Sequence, residues 1–323
     1  MANAVLILGE QLRGTISDVT FEMLGAGREL ADALQAPLYV ALLGAEAAPL
    51  ATELRVADKV LVVNKPELDL LPAGPTATVL QGLIDRHEVG ITLIGGTNVS
   101  MGVGSVLAAR ANLPYINYCR KLRVEDGSAV FTSQLFGGKM LADVRPPDNK
   151  GIVSVYPGAF PADAGKTGEA PPTEVADVPC DPLHVIFREY IEPETGDVDI
   201  TNQDVQVAVG RGDQSEDNVG LTEDLATGLG GAVCASRPVI DQGWLPLSRQ
   251  VGKSGMIVKP RVYLAFGISG APEHWEGMQG SQLIIAFNTD PDAPIFDGAQ
   301  YGVCGDAMEY LEVLTEKVKE RKG

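Results

Sequence analysis

Little in this sequence can build a metal centre. Its 323 residues hold only four cysteines and three histidines. The cysteines, Cys119, Cys180, Cys234 and Cys304, are scattered, with more than fifty residues between the closest two. Iron–sulfur and zinc sites announce themselves by close spacing such as C-x-x-C, so all four read as free thiols and no metal is expected. Basic charge is short as well: 25 Lys and Arg stand against 43 Asp and Glu, a net charge of −18. A nucleic-acid binder carries a basic surface, and that class is excluded. Acidity of this size keeps a chain soluble or steers it towards a basic partner protein. Long apolar runs are missing too. AVLIL and PLYVALLGA fall far below the ~20 residues that span a bilayer, so no membrane span is expected. The opening MANAVLILGEQLRG has no basic n-region and soon meets Glu10. That disfavours a secretory signal and makes the cytoplasm the expected compartment.

Two nucleotide signatures are also absent. RQVGKSG (249–255) contains the Gly-Lys-Ser of a P-loop, but the first glycine of that motif would fall at Leu247. Neither half carries G-x-G-x-x-G. The first strand runs into ILGEQLRGTI, and in GRGDQSEDNVG the third glycine is replaced by Ser215. No acidic residue ends the following strand, where Ser236 and Arg237 stand instead. An ordinary NAD-binding domain is disfavoured.

What is present is a repeated alternation of strand and helix. AVLIL (4–8), PLYVALL (37–43), KVLVV (59–63) and ITLIGG (91–96) are short continuous apolar runs, the pattern of buried parallel strands. Between them VTFEMLGAGRELADAL, AAPLATEL and TATVLQGLIDRHE carry helical spacing. From about Arg120 to Val155 alternation with DG and GG turns predicts antiparallel hairpins. Residues 157–182 are rich in Pro, Ala, Gly and Asp and predict a surface segment with no element of its own. LHVIFREYIEP then reads as a strand and ETGDVDITNQ as a linker.

The rhythm restarts after it. VQVAVGRG (205–212), AVCASRPVID (232–241), RVYLAFGISG (261–270) and SQLIIAFNTD (281–290) predict strands. NVGLTEDLATGLG (218–230), a short helix from Pro272 and a C-terminal helix complete the set. The expected architecture is α/β, with two domains at 1–194 and 195–323, each a mostly parallel sheet flanked by helices and the second Rossmann-like.

In the second half, glycine and polar residues collect at the carboxyl ends of the predicted strands: Gly210-Arg211-Gly212, Ser236-Arg237, Gly267-Ile268-Ser269-Gly270 and Asn288. In an open parallel sheet those ends line one crevice, where ligands bind. Glycines let backbone N–H groups approach a phosphate closely. The pattern implies a ligand of nucleotide size.

SRPVIDQGWLPLSRQVGKSG, followed by YLAFGISGAPEHWEGMQGSQLIIAFNTDPDAPIFDGAQYGVCGD, closely resembles the FAD-binding domain of the electron transfer flavoprotein α subunit. The family pattern runs in the same order and spacing over about eighty residues. The first half resembles that family only in its α/β character. The resemblance implies one FAD in the second domain and a heterodimer with a β subunit that carries AMP or a second FAD. It implies transfer of electrons from flavin dehydrogenases, such as acyl-CoA dehydrogenases, to a quinone-reducing or other acceptor, with bifurcation left open. The chain would make no substrate bond itself. A NAD(P)-linked nucleotide-binding oxidoreductase using the same crevice is the alternative, and a subunit that has lost its flavin is a third.

Carried over position by position, the implied FAD contacts are Arg211, Ser236, Arg237, Gln250, Val251, Gly252, Lys253, Ser254, Gly267, Ile268, Ser269, Gly270, Ala271, Pro272, Glu273, His274, Asn288 and Asp306. The resemblance puts Ser254 near flavin N5, His274 at the O2 edge and Arg237 beside the ring. Asn288 and the GISG amides suit the pyrophosphate, and Asp306 a ribityl or ribose hydroxyl. A histidine donating at O2 and a nearby guanidinium would stabilise negative charge that the ring gains with an electron. Glu273 stands where glutamine is frequent and Ser254 where threonine is common. His87, at a helix end, reads as a dipole contact, and His184 has no assigned role. Trp244 and Trp275 read as packing, and GGTNVSMGVGSVLAARANLP (95–114) as scaffold or β-subunit contact.

Overall fold

A computed structural model describes residues 3–190, 198–213 and 217–322. Contacts divide the chain into two compact units, Met1–Arg188 and Glu189–Gly323. No helix among the described residues is long and apolar enough to cross a membrane.

The first unit contains β1 (Ala4–Gly9), a short hairpin of β2 (Gln11–Leu12) and β3 (Thr15–Ile16), α1 (Asp18–Leu34), β4 (Leu38–Leu43) and β5 (Lys59–Val63). It continues with α2 (Ala73–His87), β6 (Val89–Gly95), α3 (Val103–Ala111), β7 (Tyr115–Glu125) and β8 (Ser128–Leu135). It ends with β9 (Met140–Val144), β10 (Gly151–Val155) and β11 (Thr173–Val175). Its main sheet has the order β11-β5-β4-β1-β6-β10-β7-β8-β9. Strands alternate their side chains between faces, and here both faces are covered. Val5 and Ile7 of β1 pack with Met23, Leu24 and Leu30 of α1, while Leu6 and Leu8 pack with Val79 and Leu80 of α2 and Leu107 of α3. Every residue of β1 is therefore buried.

Several expectations are corrected. Ala48–Glu53 is a 3₁₀ helix, not an α-helix, with proline in its first turn. The hairpins at 120–155 form as β7-β8-β9, but β10, inside that span, is a parallel strand inserted between β6 and β7. The segment 157–182, expected to form no element, supplies β11, which pairs in parallel with β5. Lys59 and Glu174 form an ion pair at 2.9 Å across that edge. The strand expected at 183–193 is not one over 183–190, which has no regular structure and leaves Val185 79% and Ile186 74% exposed. The rest of that stretch, with the start of the expected linker, lies outside the described residues.

The second unit contains β12 (Val205–Val209), α4 (Asp217–Leu229), β13 (Ala232–Ala235), α5 (Arg237–Asp241) and β14 (Val262–Phe266). It closes with α6 (Pro272–Met278), β15 (Leu283–Asn288), β16 (Tyr301–Cys304) and α7 (Ala307–Lys322). All four strand pairings are parallel, in the order β13-β12-β14-β15-β16. The strand expected over 232–241 stops at Ala235, because Pro238 in the first turn starts α5. The fifth strand, β16, is an addition to the expected four. Val207, Val209 and Phe266 face α4 and α7, through Leu225, Ala226 and Leu311. Ala208, Cys234, Tyr263 and Ala265 face the other way, against Met278 of α6 and Ile295.

Candidate functional site

The order of the second sheet fixes where a ligand can enter. β12 and β14 are neighbours, but the chain leaves them towards opposite edges, which makes the gap beyond their carboxyl ends a topological switch point. The loops there are held backbone to backbone. Gly210 N–H donates to the Phe266 carbonyl at 2.8 Å and Gly212 N–H to the Gly267 carbonyl at 3.2 Å. A Cβ at Gly210 would lie 2.1 Å from the Gly267 oxygen. Gly270 has φ +83°, and a Cβ there would meet Ile295 N at 2.3 Å. At these two positions only glycine lets the loops close.

The result is a cleft of about 620 Å³, within the range of small-molecule and cofactor sites. Arg211, Ser236, Arg237, Gln250, Val251, Gly252, Lys253, Ser254, Gly267, Ile268, Ser269, Ala271, Glu273, His274 and Asn288 line it, all singled out by the sequence. Gly212 and Pro238 join them. Gly270, Pro272 and Asp306 do not line it. Gly270 shapes the loop from behind, Pro272 opens α6, and Asp306 is exposed and caps α7 by accepting from Met308 N–H at 2.9 Å. The cap uses Oδ1 of the carboxylate.

Three cations, Arg211, Arg237 and Lys253, collect at this cleft in a chain of net charge −18. Arg237 pairs with Asp241 one turn along α5 at 3.3 Å and is largely exposed, so it is available to turn towards a ligand. Lys253 Nζ lies 3.7 Å from the Glu276 carboxylate. The loop that carries Lys253 is docked on α6, its amide donating to the Glu273 carbonyl at 2.8 Å. Gln250, almost fully buried, donates from Nε2 to Ser254 Oγ at 2.9 Å. Ser254 thus keeps its own hydroxyl hydrogen for the cleft. Asn288 Nδ2 donates to the Ile268 carbonyl at 2.9 Å and ties the end of β15 to the glycine loop.

His274 is 6% exposed, with Nδ1 3.1 Å from the Val251 carbonyl and Nε2 3.0 Å from Tyr263 Oη. A carbonyl can only accept, so Nδ1 carries the hydrogen and Nε2 of the neutral ring accepts from the Tyr263 hydroxyl. Both ring nitrogens are thus held by protein groups. Burial, only partly offset by the Val251 contact, lowers the His274 pKa to about 4. Burial also pushes the Cys234 thiol up to about 12 and the Tyr263 hydroxyl well above its ordinary value.

The first unit has its own crevice at the strand-to-helix turn of 95–114, where the ends of β6, β10 and β7 meet the start of α3. It encloses about 330 Å³ and is lined by Gly95, Thr97, Ser100 and Tyr115 among others. Beside it Glu10 is 3% exposed and accepts from the hydroxyls of Thr97 and Ser100, the latter at 3.1 Å. The turn's hydroxyls are thus tied to a buried carboxylate of the chain itself. His87 ends α2, with Nε2 3.8 Å from Glu174 and its ring edge-on to Tyr39. His184 is exposed, and Trp244 and Trp275 pack against the two faces of the second core. Sequence reasoning missed Tyr263, Cys234 and Gln206. Each reads as an ordinary strand residue, and only the polar atom on an otherwise apolar strand signals otherwise.

The chain is similar to known proteins along its length. The family pattern for the electron transfer flavoprotein domain matches residues 5–179, and that for the electron transfer flavoprotein FAD-binding domain matches residues 199–279. The electron transfer flavoprotein subunit alpha of Megasphaera elsdenii is 36% identical over 99% of this chain and 97% of its own length. That of Bacillus subtilis is 33% identical over 99% and 98%. The lactate dehydrogenase (NAD(+),ferredoxin) subunit LctC of Acetobacterium woodii is 34% identical over 96% of this chain and 76% of its own length.

Proposed function

This chain belongs to the electron transfer flavoprotein family as an FAD-binding α subunit, and on that premise we propose that the cleft at the ends of β12, β13, β14 and β15 is where it holds FAD. One observation carries the assignment. Five separate stretches of sequence, each rich in the residues a dinucleotide needs, converge on a single cleft at the switch point of a parallel sheet. Its fit to FAD rests on the donor set: two cations for the diphosphate and a third for the ring, glycine loops that admit its backbone contacts, and hydroxyl and amide groups for the ring.

FAD, when bound, supplies the uptake and release of electrons. The chain's residues bind and orient it. Arg211 and Lys253 would hold the diphosphate charge. Ser254, held by Gln250, would offer its hydroxyl hydrogen to N5. Arg237, at the start of α5 and paired with Asp241, would serve the ring, and His274 would form the wall at its O2 edge. Pro272 and Gly270 act by shaping the loops rather than by contact.

The same proposal includes a β subunit bearing AMP or a second FAD, a flavin dehydrogenase such as an acyl-CoA dehydrogenase as donor, and a quinone-reducing or other acceptor. A relative whose name joins a dehydrogenase to NAD(+) and ferredoxin supports the dehydrogenase. The domain boundary near residue 195 and a cytoplasmic location belong to the proposal too. Four free cysteines, two of them buried, suit a reducing compartment. The NAD(P)-linked reading is not favoured, since Ser236 and Arg237 occupy the end of β13 where an acidic ribose partner would stand.

Co-expression with the β subunit and a visible spectrum test the reading. A yellow complex with one FAD per α chain in this cleft is expected, and Arg211→Ala should retain less of it. A colourless complex that takes up no added FAD would sink it.

A further inference from the structure

Behind the cleft wall runs a buried chain of polar side chains. His274 Nε2 meets Tyr263 Oη at 3.0 Å. Tyr263 Oη lies 3.8 Å from Cys234 Sγ, and Cys234 Sγ lies 3.5 Å from Gln206 Oε1. Gln206 Nε2 donates to the Ile200 carbonyl, which closes the chain. Tyr263, Cys234 and Gln206 are each 0% exposed. Three adjacent strands contribute them, β14, β13 and β12. Such a chain has no packing advantage over apolar side chains, and each member would be costly if left unpaired.

We propose that Tyr263 is the positioning residue for His274: its hydroxyl at Nε2 and the Val251 carbonyl at Nδ1 hold the imidazole in one tautomer and one orientation at the cleft wall, and Cys234 gives that hydroxyl a second partner. The chain can be satisfied in two ways without moving a heavy atom. With the ring neutral, Tyr263 donates to Nε2. When a proton from solvent sits on Nε2, Tyr263 accepts from it and turns its own O–H towards Cys234 Sγ, while the Cys234 S–H points to Gln206 Oε1. The hydrogen bonds can therefore follow a proton onto the ring, while burial keeps the neutral ring as the resting form at pH 7. That matters where negative charge arrives on a cofactor, and the inference in this respect rests on the FAD assignment.

The test uses the full chain with its β subunit, carrying Tyr263→Phe, and Cys234→Ala as a second variant. With the label confined to this chain, which has only three histidines, selective ¹⁵N-histidine labelling gives a simple spectrum. In the cofactor-free protein, His274 should show a protonated Nδ1 and a hydrogen-bonded, unprotonated Nε2. Tyr263→Phe should move the Nε2 signal and leave Nδ1 in place. In the FAD-loaded complex it should disfavour uptake of the first electron by about tenfold, about 59 mV for a one-electron couple. Cys234→Ala should act in the same direction by less. Both shifts should vanish in a His274→Gln background, which a merely structural role would not produce. An unmoved Nε2 signal, or a potential shift that persists without His274, overturns the inference. Failure to bind FAD would instead count against the cofactor assignment, and the ¹⁵N result would still decide the contact.

Discussion

Lowering the pH should unfold the second unit through His274. The buried ring has a pKa of about 4, against 6.5 for an unperturbed one, and burial is the main cause. Between those values the unfolded chain binds a proton that the folded chain refuses. The neutral contact is therefore fully stabilising above about pH 6.5, and stability is lost as the pH falls towards 4. At about 1.4 kcal/mol per pH unit, the drop from pH 7 to 4.5 is on the order of 2–3 kcal/mol. Carboxylates across the chain also respond to acid, so the decisive quantity is a difference. Both tryptophans, Trp244 and Trp275, lie in the second unit, and their fluorescence in urea follows that unit alone. His274→Gln keeps an amide at the wall and removes the titration. Its midpoint should fall less between pH 7 and 4.5 than that of the wild type, by the amount above. Equal slopes would refute the buried, neutral state of His274.

Three further outcomes are expected. Glu10→Ala removes the carboxylate that the Thr97 and Ser100 hydroxyls share, while Ser100 keeps the Gly95 carbonyl, and should cost about 1 kcal/mol, the net value of an ordinary hydrogen bond, read as a lower melting temperature by circular dichroism. Gly270→Ala forces a side chain into a φ of +83° and against Ile295 N at 2.3 Å. The conformation alone costs roughly 1–2 kcal/mol, and FAD retention measured by absorbance should fall sharply. A thiol-disulfide reagent at pH 8 should label exposed Cys304 in the folded chain. It should reach Cys119 and Cys234, whose buried thiols are pushed up to about 12, only after denaturant is added.

The strands legible in the sequence are those buried on both faces. AVLIL and KVLVV are almost wholly apolar runs, and VQVAV is one but for Gln206, because helices cover each side, and such runs need no context to be read. The strands that escaped are edge strands. Thr173–Val175 and Tyr301–Cys304 are short and largely exposed, so nothing in their composition demands burial. The reverse error arose at 183–190, where apolar letters suggested a strand, but no strand among the described residues pairs with them. Apolar composition states what could be buried. Pairing states what is, and pairing is set by distant segments.

The same division runs through the candidate site. A motif records the residues that face a ligand, because they sit in loops whose spacing is local. It does not record what those residues are already committed to. Ser254 is held by Gln250 four residues away, which a loop motif can contain. His274 is held by Tyr263, and Tyr263 reaches Cys234 and Gln206 only through the register of three parallel strands. Tyr263 stands opposite Gln206, and Ala208 opposite Cys234. A slip of β14 by one residue would send the Tyr263 hydroxyl to the opposite face of the sheet, towards α4 and α7. His274 would keep its place in the sequence motif and lose the partner that sets its proton. The chemistry a cofactor meets at that wall is thus fixed by strand pairing as much as by the residues that line it.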